Sequence, residues 1–209
     1  MRRMAFTMLE LVMVIVVLGI LAALTIPRLD RDLRQEAADS ILSNIRYTQH
    51  LALTDNKHKF DRTDWQRALW QIRFLQSGNS WSYTVATNMD YNNNLDANES
   101  AIDPSNGQLM HSSAANSSPN IFLTNKYGID TIEFNNCSGQ SNSTAKHIAF
   151  DHLGRLHRGV TQGATQNYVT YVNNNSCQIT FNSPNFSSPF TIVIQKETGY
   201  AQIAGQNES

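Results

Sequence analysis

The feature that most limits what this chain can become is an apolar run at its beginning. Residues 6–26 read FTMLELVMVIVVLGILAALTI and carry a single charge, Glu10. A helix needs about 20 such residues to cross the hydrocarbon of a bilayer, so the run is long enough to span one. The apolar core of a secretory signal peptide is about 7–15 residues and ends at a small-residue cleavage site. Here the run is longer, and a helical pattern continues beyond it. Arg2 and Arg3 precede the run, but the residues that follow the arginines in twin-arginine export signals are absent. Charge does not set orientation either. Arg28, Arg31 and Arg34 follow the run, interspersed with Asp30 and Asp32.

Pro27 ends the apolar run. It has no backbone N–H to donate, so a kink or local melting is expected there, with Gly19 a second weak point. Beyond Pro27 the period stays helical. Leu29, Leu33 and Ala37 lead into Ala38, Ile41, Ile45, Thr48 and Ala52, spaced by three and four. Arg31, Arg34, Asp39 and Arg46 fall on other faces. The pattern predicts one helix over residues 6–54, membrane-spanning over 6–27 and amphipathic over 28–54.

From Asp55 onward the period changes to two. Trp70, Ile72 and Phe74 alternate with Gln71 and Arg73, and Trp81, Tyr83 and Val85 alternate with Ser82 and Thr84. Further strands are predicted at 121–124, 131–134, 147–150, 168–172, 177–181, 190–195 and 200–203. Clusters of Gly, Asn, Ser and Pro separate them. Residues 88–101 and 108–120 read as long surface loops. The expected fold is therefore α+β, with the amphipathic half-helix packed on an antiparallel β-sheet domain over 55–209. The formal net charge of -1 makes no electrostatic case for a nucleic-acid partner.

The first residues carry a more specific signal. Met1-Arg2-Arg3-Met4-Ala5 is a short basic leader ending in a small residue. Phe6-Thr7-Met8-Leu9-Glu10 and an unbroken oily helix follow. A charge inside a membrane segment costs about 2.5–3.5 kcal/mol at mid-helix and less near the interface, so Glu10 is a functional candidate. This arrangement resembles the type IV prepilins and the pseudopilins of type II secretion. The resemblance implies a leader of residues 1–5, cut between Ala5 and Phe6 by a prepilin peptidase, and N-methylation of Phe6. It makes Glu10 and Pro27 assembly residues. The family usually has Gly where this chain has Ala5.

The C-terminal half is similar to the H-type minor pseudopilins and FimT minor pilins. Ile148-x-Phe150-Asp151-x-x-Gly154-Arg155 matches their strand and turn, and Ile192-x-Ile194-x-x-x-Thr198-Gly199 their last hairpin. The resemblance implies a minor structural subunit of a type II secretion pseudopilus or type IV pilus, with no enzymatic activity and no catalytic residues. The implied setting is a single pass of the bacterial inner membrane with the C-terminal domain in the periplasm. The implied partners are other pilin or pseudopilin subunits, the prepilin peptidase and the inner-membrane assembly platform. The alternative is a membrane-tethered binding module, an adhesin or DNA-uptake minor pilin. Residues 204–209 contain no Lys or Arg, so nucleic acid is not an expected partner.

Cys137 and Cys177 are the only cysteines. An oxidising periplasm favours a disulfide between them, the alternative being two separate buried thiols. Asp90, Asn92, Asn94 and Asp96 place oxygens at every second position, as calcium loops do. Leu95 replaces the loop glycine, so this is not an EF-hand. It is a calcium candidate beside the reading as an Asn-rich turn, and no other cofactor is expected. His147, His152 and His157 are spaced by five, which does not put them on one face of a strand.

Overall fold

A computed structural model describes residues 7–92, 94–137, 145–158, 160 and 175–206, with only the backbone described at 23–32 and 145. The long helix is present as α1, Met8–Thr54, unbroken in 47 residues. It passes through Pro27 as helix, so the local melting expected there does not occur. Ala37, Ala38, Ile41, Ile45, Thr48 and Ala52 are each no more than 1% exposed. One stripe of α1 is thus the spine of the domain core, as the spacing predicted.

Among the described residues eight strands follow: β1 Trp70–Ser77, β2 Ser80–Ala86, β3 Thr131–Asn135, β4 Ala145–Phe150, β5 Leu156–His157, β6 Cys177–Asn182, β7 Phe190–Ile194 and β8 Ala201–Ile203. These form two four-stranded antiparallel sheets, in the orders β2-β1-β4-β5 and β3-β6-β7-β8, which together make up the antiparallel β domain expected against the helix. β1 and β4 of the first sheet and β7 and β8 of the second lie against α1. Ile72, Phe74, Tyr83, Val85, Ile148 and Phe150 join Ile179, Phe181, Phe190 and Ile192 in one apolar cluster with the helix stripe. Phe74 meets Phe134 and Phe181 at ring-centroid distances of 5.7 Å, so aromatic rings bridge the sheets. Each fully buried side chain of this size stabilises the fold by about 1.5–3 kcal/mol.

Two expectations are corrected. Residues 121–124 are not a strand. Pro119–Ile121 is a 3-10 turn capped by Ser118, and Leu123–Tyr127 is a short helix, α2, ended by Gly128 at φ 70. Proline at the start and a left-handed glycine at the end outweigh the apolar residues between them. Residues 88–101 and 108–120 are not merely surface loops. The Val85 N–H donates to the Met110 carbonyl at 3.0 Å, and Ala101 and Met110 continue that ladder. Met110 is fully buried. The free edge of β2 is thereby satisfied. The strand expected at 168–172 lies outside the described residues.

Candidate functional site

α1 starts where a threonine can cap it. The Oγ1 of Thr7 accepts the Glu10 backbone N–H at 3.3 Å, satisfying one of the unpaired donors of the first turn. Glu10 therefore stands in the first turn, where the helix dipole favours a negative charge. Every residue from 7 to 22 is exposed, with Met8 at 86% and Leu21 at 54%. Among the described residues no helix is long and apolar enough to cross a membrane. The run at 6–26 extends at both ends past the described side chains. Ala5 and Phe6 also lie outside the described residues, as does the side chain of Pro27.

The other half of α1 is fastened to both sheets by polar side chains that reach backbone carbonyls. Arg46 donates to the Ala201 carbonyl at 2.8 and 3.2 Å, and Arg34 to those of Ser188 and Pro189 at 2.9 and 3.1 Å. Gln49 Nε2 donates to the carbonyls of Gly154 and Thr198, both at 2.9 Å. The two C-terminal motifs thus meet at one side chain of the helix. A Cβ on Gly199, at φ +65, would lie 2.0 Å from the Gly154 carbonyl oxygen, so only glycine allows this approach.

Asp151 builds the turn between β4 and β5. Its Oδ1 accepts the backbone N–H groups of Leu153 and Arg155 at 3.0 and 2.9 Å. Its Oδ2 takes Arg155 Nε at 2.8 Å, Arg155 Nη2 at 2.7 Å and His157 Nε2 at 3.1 Å. Burial pushes this carboxyl up, but the bonds from His157 and Arg155 outweigh it and hold it well below the usual carboxylate range. Asp103 organises the loop beside β2 in the same manner. Burial is again outweighed, by bonds from Ser105, Ser118 and Asn120.

The Asp90–Asp96 side chains serve their own loop. Asp90 Oδ1 accepts Asn92 N–H at 3.1 Å, Asn92 Oδ1 accepts Asn94 N–H at 2.6 Å, and Asn94 Nδ2 donates to Asp96 Oδ1 at 2.8 Å. Glu99 closes a capping box with Asp96 and also accepts the N–H groups of Met89 and Asp90. These are Asx turns, in which Asn and Asp substitute for backbone acceptors. Among the described residues no group of three or more His, Cys, Asp or Glu is placed to hold a metal.

Cys137 and Cys177 form a disulfide with a Cα–Cα distance of 4.6 Å. It joins the end of β3 to the start of β6 just beyond the Asn135–Gln178 pair. One cluster was not read from sequence. His147 on β4 stands opposite Arg73 on β1, and both are largely covered. Burial first, and then the Arg73 charge, lower the His147 pKa to about 4. No family model, curated protein or solved structure matches the chain.

Proposed function

We propose that the chain is a structural minor subunit of a pilin-like fibre, a type II secretion pseudopilus or a type IV pilus, and not an enzyme. The observation that carries this reading is the division of labour along α1. Residues 37–52 bury one stripe in the β domain, while residues 7–22 of the same helix expose apolar side chains on every face. A helix apolar all round is stable in lipid or among other helices, not in water. The helix then serves as inner-membrane anchor before assembly and as contact between neighbouring subunits afterwards. The folded domain rides on it in the periplasm, where the disulfide fits an oxidising compartment. Resemblance at residues 1–10 adds the processing step, a cut between Ala5 and Phe6 and methylation of Phe6. The finer assignment, to the H-type minor subunits, rests on the turn at Gly154 and the hairpin at Gly199.

Intact-mass measurement on protein from native membranes tests the reading. The expected product begins at Phe6 and carries one added methyl group. Retention of residues 1–5 overturns the prepilin assignment. One feature favours a tethered binding module as second reading. Phe60 is 92% exposed at the far end of α1, near Arg62, whose guanidinium lies 3.7 Å from the ring centre of Tyr91. Assembly into fibres without Phe60, coupled to loss of binding to a surface, would favour that second reading.

A further inference from the structure

Arg73 is a largely covered cation that forms no ion pair among the described residues. It lies on β1 between Thr84 of β2 and His147 of β4. Among the described residues its one hydrogen bond is from Nη2 to Gln71 Oε1, at a long 3.4 Å. Outside the described residues the sequence has a single acidic residue, Glu208. A guanidinium withdrawn from water without a counter-charge is costly. Its neighbour on the ladder, His147, leaves Nε2 without a partner among the described residues.

Arg73 lines a cavity of about 370 Å³, together with Thr84, Asn94, Leu95, Asp96 and Ser112. That volume lies within the range of small-ligand sites. His111 is tied to the cavity's own backbone: its Nε2 lies 2.8 Å from the Leu95 carbonyl and its Nδ1 3.2 Å from the Ser113 N–H. Asp96 is engaged by Asn94 Nδ2 and the Glu99 N–H. The cavity therefore holds one positive and one negative side chain that do not neutralise each other directly. Asp96 repels a dianion such as phosphate more than a monoanion. A carboxylate matches the planar fork of a guanidinium, and Leu95 gives an apolar wall for the carbon chain behind it.

We infer that this cavity binds one carboxylate of a partner polypeptide through Arg73, with the Thr84 and Ser112 hydroxyls as further donors. The source is either an acidic side chain or a chain's C-terminus, and the chemistry is the same. The test uses the full chain in non-ionic detergent, titrated by NMR and calorimetry with three probes. N-acetylglutamate amide presents only a side-chain carboxylate, N-acetylleucine only a terminal one, and inorganic phosphate neither. One of the two carboxylates is expected to bind saturably, and which one identifies the source. Arg73→Gln is expected to weaken it at least tenfold. Asp96→Asn, which keeps a capping side chain, is expected to tighten it roughly threefold by removing a like charge. Should Arg73→Gln not fold, the Asp96→Asn result and a weaker Arg73→Lys decide the matter. The inference is overturned if neither carboxylate binds, if phosphate binds as tightly, or if Asp96→Asn leaves affinity unchanged.

Discussion

The buried pair of His147 and Arg73 makes the domain sensitive to mild acid, and the size of the effect can be worked out. His147 is 8% exposed. Burial and the facing guanidinium lower its pKa from 6.5 to about 4. The unfolded chain therefore takes up a proton on this ring below pH 6.5, while the folded chain resists until about pH 4. A depressed histidine pKa gives stability that is complete above 6.5 and is lost as pH falls towards 4. The full loss is roughly 3 kcal/mol, from about 1.4 kcal/mol per unit, and at pH 5 about 2 kcal/mol is already gone. His157 is also lowered, by burial against the opposing pull of Asp151, so wild type alone does not isolate His147. The assay is urea unfolding of oxidised full chain at pH 7.5 and pH 5, for wild type and His147→Gln. The variant should lose about 2 kcal/mol less than wild type between the two pH values. An equal loss in both proteins refutes the reasoning, because the ring would then titrate alike in folded and unfolded chains.

Three further outcomes follow from the geometry. Replacing both cysteines, Cys137→Ser with Cys177→Ser, should cost about 4 kcal/mol by the chain-entropy model for a sequence separation of 40; an unchanged urea midpoint contradicts this. Gly199→Ala should cost about 2 kcal/mol or more, since its Cβ meets the Gly154 carbonyl; a melting temperature within a degree of wild type refutes the close approach. Asp151→Asn should destabilise by about 2 kcal/mol at pH 7, a figure reduced because Arg155 is partly exposed. Because the folded Asp151 pKa is depressed from 3.8, that deficit should shrink as pH falls below 3.8. A constant deficit down to pH 2 would show that the charge plays no part.

How much of this was legible in the sequence depended on whether a residue's role was local. The stripe from Ala37 to Ala52 is a single helix face, and spacing alone displays it. β1, β2, β6 and β7 declare themselves because β-branched and aromatic residues alternate in runs longer than chance provides. The split into two sheets was not legible, since it depends on β3 pairing with β6 across long intervening segments. Residues 121–124 misled because apolar residues in a short run fit a strand or a helix, and the decisive signals, Pro119 and Gly128, lie outside the run. In the sequence Arg73 is only one of the polar residues that alternate with Trp70, Ile72 and Phe74. Its face is covered in part by the loop carrying Leu95 and Ser112, and period two cannot reveal a second layer. The spacing of Asp90, Asn92, Asn94 and Asp96 fits a chain of Asx turns as well as a calcium loop, because both need an oxygen at every second residue.

Glu10 admits two physical roles, and one substitution separates them. Thr7 and Glu10 stand at the N-cap and third positions of α1, the places where a capping box and the helix dipole both favour them. Those effects amount to about 1 kcal/mol each. They act at the end of a 47-residue helix whose other half is pinned in the domain core. Losing them frays a turn and leaves the domain folded. The assembly role demands more. On the proposed fibre reading, cleavage at Ala5 would place a cationic amine on Phe6, and a charged Glu10 among apolar helices would find its best partner in a neighbour's amine. Glutamine serves a capping box as well as glutamate does, but it carries no charge. Capping alone therefore predicts that Glu10→Gln behaves as wild type while Glu10→Ala frays. The fibre reading predicts that both variants insert, fold and keep the Cys137–Cys177 bond, yet both co-purify poorly with other subunits. Glutamine variants that assemble normally at equal membrane abundance would leave Glu10 a cap and remove the charge pair from the mechanism.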